Sequence, residues 1–305
     1  MFFCYNINGD IVKHNFLINS FSLKDKTNKI IRIIEEVCKE ENIDFKIEIN
    51  SKEKSTEDIL EKYQKTKYII LPVGGDGTIN RVLNKIVGTN NILGYIPTGT
   101  GNDFHRSNKE LLEPGTHTID LIKINNKYFI NVACFGIDAE IGNHSDIIHS
   151  KWIPKKQRYN ASLIKHFMTY KPRKMKIKIA GKEIEKEFTT VIVCNARYYG
   201  GGYKVGPFSS LQDGLMEVYL VEKTNRINML GLIAGIKYAF HEKSNKVEKI
   251  QTKSLTIISE EEIEANLDGE ILKNNHFDIN IIPKGIKIYY NKKLIEKIKN
   301  EIEKL

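Results

Sequence analysis

Apolar positions along the chain follow two different rhythms, and the change falls near Leu121. In the first third the rhythm is helical, interrupted by short apolar runs. Ile30, Ile31, Ile33, Ile34, Val37 and Cys38 make a stripe that predicts a helix over residues 24–41. Phe45–Ile49 reads as a strand, residues 56–63 as a helix opened by Ser55, and 67–73 (KYIILPV) as a short buried strand. A helix over 79–87 and a strand over 92–96 follow, while the pattern over 11–18 does not decide its own state. Strand, turn, helix and strand in that order predict an open α/β sheet with parallel neighbours.

Beyond Leu121 the alternation turns to period two. Residues 121–124, 128–134, 174–180, 187–194, 215–221, 254–259, 263–267, 277–282 and 286–290 read as strands. Turns such as Asn125-Asn126, Ala180-Gly181 and Pro283-Lys284-Gly285 separate them. Helical insertions are expected near 155–170 and 226–241, and a charged helix ends the chain. The expected organisation is an α/β nucleotide-binding domain over 1–122, completed by the helix 292–305, and a β-rich domain over 123–291. A chain of 305 residues suits one large or two medium domains.

Composition narrows the class. The most apolar stretch, 227–240, is shorter than the roughly 20 residues a bilayer span needs and contains Asn228 and Lys237, so a buried or interfacial helix is expected. The first 13 residues do not resemble a signal peptide. Cys4, Cys38, Cys134 and Cys194 are widely spaced, which argues against a disulfide framework or zinc site and for a cytoplasmic protein. Cys134 and Cys194 lie in apolar runs and read as buried thiols. Net charge is +9, and residues 151–178 hold ten Lys or Arg with no acid, interleaved with Trp152, Phe167 and Tyr170. A solvated face is the ordinary explanation of such a run; reversible docking on an anionic membrane surface is the functional one. Charge alone would also attract nucleic acid.

The strongest chemical signal is Gly74-Gly75-Asp76-Gly77-Thr78, between a strand and a helix. Glycines there let the backbone approach a ligand, and the helix N-terminus offers N–H groups to phosphate. Asp76 would repel phosphate unless a cation or a donor network stands between. The lysine of a Walker loop is absent, and Gly99-Thr100-Gly101 is only part of a Rossmann fingerprint. A second loop, Pro97-Thr98-Gly99-Thr100-Gly101-Asn102-Asp103, ends the next strand, and two such loops at the carboxyl ends of one sheet would face one crevice. The third signal is Asp268-Gly269-Glu270, which alone would pass for a β-turn with solvated acids.

Together, in this order and at these distances, the three motifs resemble the diacylglycerol kinase catalytic-domain family, and the likeness runs over nearly the whole chain. Gly136-Ile137-Asp138-Ala139, Arg197-Tyr198-Tyr199-Gly200-Gly201-Gly202 and Asp213-Gly214-Leu215 are similar to its bacterial branch. The resemblance implies an α/β nucleotide domain plus a β-sandwich, with ATP and lipid meeting in a cleft between them. It implies ATP contacts at Asn6, Asn8, Gly9, Ser51, Gly74, Gly75, Asp76, Gly77, Thr78, Ile79, Asn80, Arg81, Gly99, Thr100, Asn102 and Asp103. It further implies Mg2+ held by Asp213 with the carbonyls of Leu215 and Ser210, and a catalytic base drawn from Asp268 and Glu270. The activity implied is transfer of the γ-phosphoryl group of ATP to a membrane lipid, diacylglycerol first. A kinase for another lipid alcohol or for a soluble acceptor, and a silent nucleotide- or lipid-binding regulator, are the alternatives. Peripheral association with the inner face of the membrane, no specific nucleic acid partner and a homodimer complete the expectation. Three positions depart from the pattern: the N-terminal turn is only Asn6-Ile7-Asn8-Gly9, Arg81 stands where an acid is common, and His105 where a small residue is usual.

Overall fold

The computed structural model describes residues 6–7, 10–11, 13–137, 139, 170–237 and 239–305. Asn8, Gly9, Cys4, Asp138, the helical insertion near 155–170 and the basic stretch up to residue 169 lie outside the described residues. The chain divides into two compact units, Met1–Ile119 with Lys284–Leu305, and Asp120–Pro283.

Unit 1 begins with the small ladder of β1 (Asn6–Ile7) and β2 (Asp10–Ile11). Its main sheet is parallel: β4 (Phe45–Ile49) pairs with β3 (Lys13–Ile18), and β3 with β5 (Tyr68–Gly74). β5 in turn pairs with β6 (Ile92–Leu93) and β7 (Ile96–Pro97). The undecided segment is therefore a central strand, and five of the six residues of β3 are buried. A strand buried on both faces loses the alternation that would announce it. The chain leaves β3 to one side for β4 and returns to the other for β5, which makes the gap between the ends of β3 and β5 the switch point of the sheet.

The helices of unit 1 follow α1 (Ser20–Leu23). In α2 (Thr27–Glu40) the buried positions are Ile30, Ile34, Val37 and Cys38, one face of the expected stripe. α3 (Thr56–Glu61) opens at Ser55 with a reciprocal capping box to Asp58. α4 (Asp76–Ile86) starts three residues earlier than its apolar period suggests, because Asp76-Gly77-Thr78 is its first turn. α5 (Asp103–Leu111) was hidden by its polar composition. The last helix of the chain, α7 (Lys292–Glu303), is capped by Asn291 and lies in unit 1, where Lys297 pairs with Glu40 at 2.6 Å and Glu41 at 2.9 Å of α2.

Unit 2 is antiparallel. β8 (Gly115–Ile124) enters it and pairs with β9 (Lys127–Phe129), and β10 (Val132–Gly136) pairs with β12 (Lys182–Cys194) and β15 (Ser254–Leu267). β11 (Arg173–Ile179) bridges β12 and β15, β13 (Met216–Glu222) joins β12 to β14 (Val247–Thr252), and β16 (Glu270–Tyr290) lies along β15. α6 (Arg226–Lys237) follows β13. Alternation sorts the side chains: Ala133, Phe135, Val191 and Val193 enter the main core, while Val132, Cys134, Ile192 and Cys194 enter a smaller one on the opposite face. Cys134 and Cys194 are buried free thiols, as expected from their apolar runs, and Cys38 is buried as well.

Several expected boundaries change. The run 128–134 breaks into β9 and β10 around Ile130-Asn131. The expected pairs of strands 254–259 with 263–267, and 277–282 with 286–290, are each one long strand. β15 absorbs its irregularity as a register shift between Ile258 and Ile263, and β16 runs through Pro283-Lys284-Gly285 with Lys284 at φ 54°.

Candidate functional site

In unit 1 the two glycine loops touch. A Cβ built on Gly99 would stand 2.7 Å from the Gly75 Cα, so these backbones pack at a distance only glycine allows. The N–H of Thr98 also donates to the Gly74 carbonyl at 3.0 Å. Gly75 caps α4 with its backbone, and Asn102 precedes α5 in the left-handed region at φ 52°, its Nδ2 donating to the Gly99 carbonyl at 2.6 Å.

The donor network expected around Asp76 is present. Its Oδ2 accepts from the N–H of Asp103 at 3.0 Å and its Oδ1 from that of Phe104 at 3.1 Å. The carboxylate of the first loop thus caps the helix opened by the second, which satisfies two otherwise orphaned amides. Burial pushes the Asp76 carboxyl up, and the two N–H donors pull it back. The negative charge Asp76 brings is met by the N-terminus of α5.

A polar row runs along the carboxyl ends of the neighbouring strands. Asn19 Nδ2 donates to Thr78 Oγ1 at 3.2 Å across the switch point, and Asn50 Nδ2 donates to Asn19 Oδ1 at 3.4 Å and to Thr56 Oγ1 at 3.3 Å. Ser20 donates its N–H to Asn50 Oδ1 at 2.8 Å. Asn19 and Asn50 were missed in the sequence, although each immediately follows an apolar strand. Ser51, the expected contact, folds onto its own turn, donating to Glu53 Oε2 at 2.7 Å.

Other expected positions divide by burial. Ile79 and Asn80 are 2% and 3% exposed, and Asn80 accepts from Asn84 Nδ2 through both its oxygens, so these two residues serve helix packing. Arg81 is exposed on the same helix. Asp103 is buried with Arg106 Nε 3.8 Å from its Oδ1. His105 fills a pocket beside Tyr95, whose hydroxyl lies 3.3 Å from Nδ1 and accepts from Asn108 Nδ2 at 3.1 Å. Burial, then the nearby Lys299 and Lys109, lower its pKa to about 4, so the ring is neutral at physiological pH.

In unit 2 the two acids of the late motif have unlike surroundings. Asp268 sits in the left-handed region at φ 51° and is 5% exposed. Its Oδ2 accepts from the N–H of Ile130 at 2.8 Å, its Oδ1 from that of Val132 at 2.8 Å, and both oxygens face the N–H of Asn131, at 3.1 and 3.2 Å. Three consecutive amides converge on one carboxyl group, which explains why the strand breaks between β9 and β10. Asn131 continues outward, with Nδ2 donating to the Tyr198 carbonyl at 2.7 Å in the Tyr-Tyr-Gly-Gly-Gly loop. Glu270 begins β16 half-buried, two residues on.

Asp213 forms a turn in which its Oδ1 accepts from the N–H of Leu215 at 3.0 Å. A buried acid that the sequence reading missed, Asp120, takes the N–H of Gly214 on Oδ2 at 2.7 Å. Its only signal was a carboxylate inside the apolar run Ile119-Asp120-Leu121. Asp213 is exposed; partial desolvation, then the charge of Asp120, push its carboxyl up against the pull of the Leu215 N–H. An exposed carboxylate with a like charge beside it fits a hard cation such as Mg2+. Asp213 would hold it with the carbonyls of Ser210 and Leu215. Among the described residues no group of three or more His, Cys, Asp or Glu is arranged for a metal, so oxygen donors of the main chain would complete the site.

From Arg173 onward the basic stretch is ion-paired: Arg173 with Glu261 at 3.7 Å, Lys174 with Glu185 at 2.8 Å, Lys176 with Glu183 at 2.6 Å and Lys178 with Glu183 at 3.9 Å. Acids from neighbouring strands, invisible in a linear run, supply the balance. No helix among the described residues is long and apolar enough to cross a membrane.

Residues 13–127 match the diacylglycerol kinase catalytic domain, and residues 131–290 the YegS C-terminal NAD kinase beta sandwich-like domain. A diacylglycerol kinase of Mycobacterium tuberculosis is 27% identical over 205 residues, 62% of this chain and 66% of that protein, just under two thirds of its length. A diacylglycerol kinase of Bacillus subtilis is 26% identical over 66% of this chain and 71% of its own. The crystal structure of a diacylglycerol kinase from Bacillus anthracis superposes with a TM-score of 0.66 at 21% identity, covering 92% of this chain and 98% of that one, a likeness of fold. The chain belongs to the family that joins a diacylglycerol kinase catalytic domain to a YegS C-terminal β-sandwich-like domain.

Proposed function

We propose that the protein is an ATP-dependent lipid kinase that phosphorylates the free hydroxyl of diacylglycerol. Unit 1 binds the nucleotide phosphates at the paired glycine loops and the N-terminus of α4. The polar row of Thr78, Asn19 and Asn50 lines the same strand ends and suits the remaining polar contacts of a nucleotide. Asp76 acts by fixing the second loop and α5 against the first. Magnesium, when bound at the Asp213 loop, would neutralise developing charge on the transferred phosphoryl group.

The observation that carries the reading is the division of labour between Asp268 and Glu270. Asp268 has both oxygens committed to three backbone amides, so accepting a proton would cost those bonds. Glu270 stands on the turn that this anchoring fixes, and it is the residue we assign as general base. An alcohol is a weak nucleophile at neutral pH; a carboxylate that takes its proton as the new P–O bond forms contributes roughly 10²–10⁴-fold. In the family's pairing of motifs, Asp268 is then a positioning residue for Glu270.

The test is phosphoryl transfer from labelled ATP with Mg2+ to mixed micelles of diacylglycerol, monoacylglycerol, ceramide, sphingosine or phosphatidylglycerol, with Glu270→Gln as blank. Labelled phosphatidic acid from diacylglycerol alone supports the reading. Label on another lipid reassigns the acceptor, and labelling only of a water-soluble alcohol overturns it.

A further inference from the structure

Phe208 and Phe240 are the two most exposed large apolar side chains among the described residues, at 64% and 59%. Both lie in unit 2, and each carries a lysine ammonium against its ring: Lys249 Nζ is 4.4 Å from the Phe208 centroid, and Lys243 Nζ is 5.0 Å from that of Phe240. A third pair of the same kind, Lys204 over Tyr198 at 5.4 Å, stands on the loop that leads to Phe208.

The pairs belong to one neighbourhood. Lys249 also contacts Glu242 at 3.2 Å, two residues from Phe240, and His241 Nε2 lies 3.0 Å from the Val205 carbonyl, three residues before Phe208. Phe240 closes the segment begun by α6, which in twelve residues (RINMLGLIAGIK) has only Arg226, Asn228 and Lys237 as polar side chains. Leu232 of this helix is half-buried, Arg226, Asn228 and Gly231 are exposed, and the half-buried Ile236 packs against the smaller core.

Charge decides what fits this surface. Its inner acids, Glu217 and Glu242, share Lys249 at 3.0 and 3.2 Å and flank the Tyr219 hydroxyl, which donates to one of them at a time. Glu217 is 2% exposed, and Glu248 pairs with Lys182 at 3.9 Å. The ammonium exposed beside the Phe240 ring is that of Lys243. Rings that enter the acyl boundary with ammonium groups held at phosphate depth are the chemistry of an anionic lipid surface.

We propose that Phe208 and Phe240, with Lys204 and Lys243, form a membrane-docking surface that seats the protein on an anionic bilayer leaflet. This rests on the reading of a lipid acceptor, and it places the docking outside the ion-paired part of the basic stretch.

The experiment is sedimentation of the whole protein with phosphatidylcholine vesicles, with and without phosphatidylglycerol. Phe208→Ser and Phe240→Ser are each expected to lower partitioning onto the phosphatidylglycerol vesicles about tenfold, with Leu305→Ser, another exposed apolar position, unchanged. Activity of the double variant on short-chain diacylglycerol dispersed below its micelle concentration is expected to match the parent. Phe240→Trp, which keeps the ring, is expected to blue-shift its added emission when vesicles are present. Equal partitioning of parent and double variant, or a Phe240→Trp emission that ignores vesicles, overturns the docking surface. Failure of the parent to phosphorylate the dispersed lipid at all overturns the lipid-acceptor reading instead, whatever the vesicles show.

Discussion

The carboxylate of Asp76 caps the amide of Asp103, at 3.0 Å, across the two glycine loops of unit 1. The most conspicuous acid of the strand-to-helix motif is thus an internal fastener, and its removal should be felt first in stability. Asp76→Ala leaves the Asp103 and Phe104 amides buried without a partner, at a cost of roughly 2–4 kcal/mol, and Asp76→Asn, which keeps one acceptor, about half of that. Thermal unfolding of the two variants, alongside ATP binding by calorimetry, checks the order. Equal stability of Asp76→Ala and the parent would remove the fastener role.

Gly99→Ala tests the contact of the loops without touching a charged group. The added methyl would stand 2.7 Å from the Gly75 Cα, a backbone atom that cannot swing aside, and 3.1 Å from Asn102 Oδ1. The loops must separate, so KM for ATP should rise about tenfold or more while the acceptor KM stays near its original value. An unchanged ATP KM would mean that the loops do not hold the nucleotide.

The pH dependence of stability should carry the mark of the buried histidines, which include His14, His105 and His241. Burial lowers the pKa of His14 to about 4, and burial with Lys299 and Lys109 lowers that of His105 to about 4. Unfolded, both would titrate near 6.5, so between these values the unfolded chain binds more protons. Stability is therefore full above about pH 6.5 and declines as the pH falls towards 4. His105→Asn should flatten part of that decline in melting curves recorded from pH 7 to pH 4, and an unaltered slope would contradict the assignment.

Much of this was legible in the chain, and the failures have physical causes. Period and capping announced α2, α3 and β5, and the glycine loops announced themselves by position. β3 was ambiguous because both of its faces are buried. α5 was missed because its helix is anchored through Asp76 and carries few apolar residues. Residues 128–134 read as one strand because nothing local says that Asp268, 136 residues beyond Val132, will take three of their amides. The same nonlocality hid the pairing of Lys174 and Lys176 with acids of β12. Asn19, Asn50 and Asp120 carry no motif of their own; only the sheet that gathers strand ends, or the loop that folds onto Asp120, gives them a role.

The assignment of base and anchor is tested most directly by turnover and melting temperature measured on the same preparations of Glu270→Gln and Asp268→Asn. Glu270→Gln should lower kcat for diacylglycerol by roughly 10²–10⁴-fold with the melting temperature within about 2 °C of the parent. Asp268→Asn should lose roughly 2–4 kcal/mol of stability, because the amides of Ile130, Asn131 and Val132 then share a neutral acceptor. A Glu270→Gln enzyme with full turnover, or an Asp268→Asn protein that melts with the parent and has lost its chemistry, would contradict the account.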